Sequence, residues 1–152
     1  MVFRGFNPLS LDSKGRLSMP TKYRERLLES CSGQLIITID QDHCLLLYPL
    51  PTWEHVEQQL IRLSSTNKRA RNLKRLLLGH ADECRMDSHG RILLPQPLRE
   101  FAHLDKRIVL VGQGNKFEIW DEPSWNQFRE KWLEGEDQDG NSLSAELELL
   151  AF

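Results

Sequence analysis

Two short segments of this chain place a carboxylate, a glycine and an arginine in the same order. Asp12-Ser13-Lys14-Gly15-Arg16-Leu17-Ser18-Met19-Pro20 returns, 75 residues on, as Asp87-Ser88-His89-Gly90-Arg91-Ile92-Leu93-Leu94-Pro95. An Asp at the start of a tight turn accepts its backbone N–H groups. A Gly three residues later takes the positive φ that such a turn often needs. The Arg that follows suits phosphate or guanine, because its planar fork donates two parallel hydrogen bonds. Two readings stand side by side. In one, Asp and Arg pair only to stiffen the turn. In the other, the stiffened turn presents Arg16 and Arg91 to a polyanion. Lys14 beside Arg16 strengthens the second reading for the first copy. His89 replaces that lysine in the second copy and leaves it less cationic at neutral pH.

Further basic residues accompany the first copy. Arg4, Lys22, Arg24 and Arg26 are either a solvated face or contacts to phosphate, and their company with Lys14 and Arg16 favours phosphate. Lys68, Arg69, Arg71, Lys74 and Arg75 form a denser cluster, read equally as a nucleic-acid patch or as a linker helix salt-bridged to acidic surfaces. The charge is lopsided: residues 1–75 carry 12 Lys+Arg against 7 Asp+Glu, and residues 76–152 carry 8 against 15. A net charge of −2 therefore hides a basic first half suited to a polyanion.

Other chemistries find little support. His43-Cys44 and His80 with Cys84 lack a second matched pair of metal ligands. No Gly-x-Ser-x-Gly or phosphate-binding loop occurs, and Ser88-His89 is a neighbour pair rather than a triad. Neither an enzyme nor a cofactor is expected. Three cysteines without paired spacing fit a reducing cytoplasm, no secretory signal pattern follows Arg4, and no apolar run approaches the ~20 residues of a membrane span.

The elements that must hold these residues repeat as well. Arg24-Glu25 matches Arg99-Glu100, Leu35–Ile39 matches Ile108–Val111, Leu45–Tyr48 matches Phe117–Trp120, and Pro51-Thr52-Trp53 matches Pro123-Ser124-Trp125. Each copy reads strand, turn, strand, short helix, strand, turn, strand, helix. A half of this size is marginal alone, so the two are expected to share a core. The pattern predicts a strand over Val2–Phe6 leading to Asn7-Pro8, an alternating run Leu9-Ser10-Leu11 into the first turn, and a return strand over Arg16–Met19. It predicts a helix after Pro20 with Tyr23, Leu27 and Leu28 inward, and a helix from Trp53 to about Leu63 capped by Thr52. Trp53, Trp125, Phe128 and Trp132 read as core rather than as stacking platforms. The expected division is a first repeat over 1–63, a linker helix over 64–79, a second repeat over 80–134 and an acidic tail over 135–152, with Leu143–Phe152 as a final helix.

Arg4-Gly5, Leu11 to Arg16, Leu47-Tyr48-Pro49, Trp53, Leu76 to Ala81, Gly112 and Phe117 to Trp120, together with the two Asp-Ser-x-Gly-Arg turns, resemble the MraZ family over essentially the whole chain. The resemblance implies an α+β fold of two pseudo-symmetric AbrB-like swapped-hairpin halves. It implies a transcription regulator of the bacterial division and cell-wall gene cluster, generally a repressor that includes its own gene. It also implies a ring-shaped homo-oligomer, nucleoid-associated in the cytoplasm, on double-stranded promoter DNA with short G-rich direct repeats. The family's DNA-contacting motif falls on Asp12 and Arg16, and on Asp87 and Arg91. Lys14, Arg4, Lys22 and Arg24 would position the DNA backbone, and the first turn is expected to dominate. The alternative is an antitoxin-like protein-interaction module whose leucine-bearing acidic tail wraps a partner.

Overall fold

A computed structural model of the chain describes residues 1–135 and residue 150. The expected tail helix over 143–152 lies outside the described residues, save Leu150. Two units are present, Met1–Glu122 and Pro123–Phe152. In chain order the elements are β1 (Phe6–Ser10), β2 (Arg16–Ser18), α1 (Thr21–Cys31), β3 (Gln34–Ile39), β4 (Leu45–Pro49), α2 (Leu50–Arg62), α3 (Lys68–Leu77), β5 (Asp82–Arg85), β6 (Arg91–Leu93), α4 (Gln96–Phe101), β7 (Arg107–Gly112), β8 (Phe117–Asp121) and α5 (Glu122–Leu133). All of α1–α4 and every strand belong to the first unit; α5 beyond its first residue belongs to the second.

The halves interlock strand by strand. The large sheet runs β1-β7-β8-β4-β3-β5, and a separate two-stranded ribbon pairs β2 with β6. Exchanging the equivalent strands of the two halves gives the same order reversed, so the sheet has a pseudo-two-fold between β4 and β8. Among the described residues, only the hairpins β3–β4 and β7–β8 pair within a half. Every other ladder joins one half to the other, and all are antiparallel. This is the fold of two pseudo-symmetric halves that the repeat predicts.

One core serves both. Leu17, Ile37, Leu45 and Leu47 from the first half and Ile92, Ile108, Leu110, Phe117 and Ile119 from the second are fully buried in a single cluster. Each such side chain contributes about 1.5–3 kcal/mol by leaving water. Phe3, Tyr23 and Phe117 meet in it, with Phe3 and Phe117 centroids 4.4 Å apart and those of Tyr23 and Phe117 4.9 Å apart.

Several local expectations are corrected. The first strand is continuous over Phe6–Ser10 and includes Pro8, while Phe3 only bridges Gly114. Pro is tolerated there because β1 is an edge strand, where one side needs no ladder donor. The helix after β4 starts at Leu50, with Pro51 in its first turn, so Thr52 lies inside it and caps nothing. Leu28 is exposed and Cys31 takes its place on the buried face of α1. Trp53 is buried as expected, but Trp132 is exposed and Trp125 only half-buried.

Candidate nucleic-acid interface

Both Asp-turn-Arg segments close in the same way. Asp12 N donates to Arg16 O at 3.0 Å and Gly15 N to Asp12 O at 3.0 Å. The Asp12 carboxylate then ties down the loop: Oδ1 accepts from the backbone N of Lys14 at 3.0 Å and of Arg16 at 2.9 Å. Oδ2 accepts from Arg16 Nε at 2.7 Å. In the second copy Asp87 Oδ1 accepts from His89 N at 2.8 Å and Arg91 N at 2.9 Å, and Oδ2 from Arg91 Nε at 3.1 Å. Gly15 and Gly90 adopt φ of +82° and +77°, the left-handed region that their place in the turn demands. The stiffening role read from the sequence is therefore present in both copies.

The electrostatics follow from these bonds. Donation by the Arg16 backbone N–H, more than the ion pair itself, lowers the Asp12 pKa from its ordinary 3.8 to about 2. The Asp87 carboxyl is held low for the same reason, with the Arg91 backbone N–H foremost. Each guanidinium engages its Asp through Nε. The terminal nitrogens Nη1 and Nη2 have no hydrogen-bond partner among the described residues, which leaves a fork for an outside acceptor.

The two arginines share one surface. On the β2–β6 ribbon Arg16 stands opposite Leu93, Leu17 opposite Ile92 and Ser18 opposite Arg91. Leu17 and Ile92 are fully buried, so the alternation of a strand sends Arg16, Ser18, Arg91 and Leu93 to the outer face. Arg16 and Arg91 are diagonal neighbours there, a relation that spaces backbones by roughly 7–8 Å. Nothing in the sequence marks this pairing, since the segments are 75 residues apart and each reads as its own hairpin.

The remaining basic residues fall into three places. Lys14 is exposed at the tip of the first turn. Arg4 and Lys22 are exposed together beside Gly5, where a Cβ would meet Lys22 Nζ at 2.9 Å, and Lys22 Nζ lies 5.0 Å from the Tyr23 ring centroid. This pair sits at the start of β1, the far end of that strand from Asp12. Arg24 faces the fold: its Nε donates to Met19 O at 2.6 Å. Arg26 donates to Val2 O and covers the Phe3 ring. The five basic residues of α3 pair with no acid among the described residues. Arg71 and Lys74 bond instead to Ser65, and Asn67 caps the helix by accepting from Ala70 N at 3.1 Å.

Fold and surface together define a class: a duplicated α+β protein whose halves interlock to present two arginine turns on one β-ribbon. Sequence comparison supplies the family. The family model described as "MraZ protein, putative antitoxin-like" matches residues 2–76 and again residues 77–142. The chain belongs to the MraZ family. It is 54% identical over 152 residues to a Methylococcus capsulatus protein named Transcriptional regulator MraZ, covering 99% of this chain and 100% of that one. Proteins of the same name are similar from Thioalkalivibrio sulfidiphilus, at 55% identity over 150 residues and 99% of both chains, and from Pseudoalteromonas atlantica, at 62% over 127 residues, 83% of this chain and 84% of that one. These relatives carry a regulator's name, not an enzyme's. No helix among the described residues is long and apolar enough to cross a membrane.

Proposed function

We propose that this protein is a sequence-specific double-stranded-DNA-binding transcriptional regulator that reads DNA with the β2–β6 ribbon. In this reading it represses the bacterial division and cell-wall gene cluster, its own gene included, from the cytoplasm in association with the nucleoid. The observation that carries the proposal is the pair of rigid Asp–Arg turns on one solvent face of a two-stranded ribbon. A ribbon of that width enters the major groove, where O6 and N7 of guanine accept a bidentate arginine. Arg16 meets the requirement with its rotamer already fixed by Asp12, which reduces the ordering cost on binding.

Phosphate contacts supply the rest. Lys14 lies at the turn and is the nearest cation to a flanking phosphate; Arg4 and Lys22 form a separate basic group that serves a more distant stretch of backbone. Arg24 acts through the fold rather than on the phosphate. Charge keeps the first turn ahead, because Lys14 adds a cation that His89 lacks at neutral pH. The shared ribbon face nevertheless gives Arg91 a place in the contact that the acidic character of its half does not suggest.

One ribbon offers a small footprint, so useful affinity needs several subunits on successive DNA repeats. A ring homo-oligomer on short direct repeats meets that need, with DNA bending as a cost. The test is a fluorescence-anisotropy titration of the native promoter against a scrambled duplex at several salt concentrations. Tight binding to the promoter alone supports the proposal; equal affinity for both overturns sequence-specific reading. The wording of the family description favours a second reading, an antitoxin-like interaction module, and co-purification of a small basic protein with no promoter binding would select it.

A further inference from the structure

Each turn's glycine is covered by an arginine from the opposite half. A Cβ built on Gly15 would fall into the Arg99 guanidinium, 2.6 Å from Nη1 and 2.7 Å from Nε. A Cβ on Gly90 would lie 2.7 Å from Arg24 Cδ and 2.8 Å from Arg24 Cζ. Both glycines are buried, although the residues just before each of them are exposed.

Backbone bonds close a loop around each contact. Gly15 O accepts from Leu94 N at 3.1 Å, and Leu94 O accepts from Arg99 Nε at 3.0 Å. Across the pseudo-two-fold, Gly90 O accepts from Met19 N at 2.8 Å, and Met19 O accepts from Arg24 Nε at 2.6 Å. Leu94 and Met19, each just before a helix-opening proline, thus hold the other half's turn with the N–H and their own half's arginine with the carbonyl. The arginine then closes over the turn. A guanidinium is flat and can lie on a glycine face while Nε stays bonded; a lysine keeps the charge and loses both.

We propose that Arg99 is a positioning residue for the first turn, Asp12–Arg16, and that Arg24 serves the second, Asp87–Arg91, in the same way. The Asp–Arg pair fixes the internal shape of each turn. The crossed arginine fixes where that shape stands relative to the ribbon, so DNA reading by one half depends on the helix of the other. This assignment rests on the DNA-binding reading of the turns for its functional consequence, but not for its structural one.

The experiment uses the full chain with Arg99→Lys, Arg24→Lys, Arg16→Ala and the Arg16→Ala/Arg99→Lys double variant. Hydrogen–deuterium exchange is followed in peptides over each turn. Arg99→Lys is expected to speed exchange in the peptide holding Lys14–Arg16 and leave that holding His89–Arg91 unchanged, while Arg24→Lys does the reverse. Promoter affinity is expected to fall about tenfold for each subunit on the DNA in Arg99→Lys, as for one poorly presented bidentate contact per subunit. The same change added to Arg16→Ala is expected to cost only the smaller loss of the Lys14 phosphate contact. Uncrossed or uniform exchange in both variants overturns the assignment, as does a full additional loss in the double variant. Should Arg99→Lys not fold, Arg24→Lys alone gives the decisive exchange pattern at the second turn. Unchanged promoter affinity in Arg16→Ala would sink the DNA reading of that turn, and the exchange pattern would still decide the positioning role.

Discussion

Leu17 and Ile92 sit directly opposite each other where the ribbon meets the shared core, and neither exposes any surface. Truncating either to Ala deletes buried carbon and leaves a cavity, at a cost of about 3 kcal/mol. A domain of this size has about 5–15 kcal/mol in total. Each single change should lower the melting temperature by roughly 6–12 °C. The two side chains border one space, so the second truncation enlarges a cavity already made. The double variant should then fall short of the summed cost by about 0.5–3 kcal/mol. Urea unfolding followed by tryptophan fluorescence reads this, since Trp53 and Trp120 are buried. Protomer concentration is held fixed, because the proposed association would add to apparent stability. A shifted midpoint with an unchanged slope is expected. Additivity within about 0.5 kcal/mol, or a second transition left unmoved by either change, would refute an interlocked core.

Three further outcomes follow from the turns. Gly15→Ala should destabilise the protein more than Gly114→Ala in thermal unfolding: both have φ above +80°, but a Cβ at Gly114 meets nothing within 4 Å. The Gly114 change should cost about 1 kcal/mol from backbone strain alone. Carboxylate titration by NMR should place Asp12 near 2, with Asp87 also below its ordinary value. A depressed carboxyl stabilises the fold above its unfolded pKa, so this contribution should be complete above about pH 5 and fade as pH falls through 3.8 toward about 2. Lys14→Ala should weaken promoter and scrambled DNA alike and make the slope of log affinity against log salt shallower by about 0.9 for each subunit on the DNA, whereas an unchanged slope would remove Lys14 from the phosphate contacts.

Much of this was legible in the chain. The glycine and aspartate of each turn announce themselves because a positive φ and a cluster of backbone donors restrict the residues that fit. The hydrophobic runs at Leu35–Ile39 and Ile108–Val111 declare buried strands. Partner choice was not legible. Alternation tells which face of β2 is buried but not that β6 lies beside it, so the placing of Arg16 and Arg91 on one face appears only in the fold. The expected strand stops short of Pro8 because the sequence does not say that β1 is an edge. Arg24 and Arg99 stood out as a repeated pair, yet nothing local shows an arginine reaching the other half's glycine. Thr52 matched the residue type of a helix cap, but the helix begins directly off β4 and passes through it.

In the proposed function a rigidly presented Arg16 on the β2–β6 ribbon reads DNA. The most direct measurement of this role is promoter affinity of Arg16→Ala beside wild type, with circular dichroism and light scattering as checks on fold and assembly. Specific binding should be lost, with the residual affinity equal for promoter and scrambled duplex, while fold and assembly stay intact. Wild-type promoter affinity in a folded, assembled Arg16→Ala protein would contradict this role.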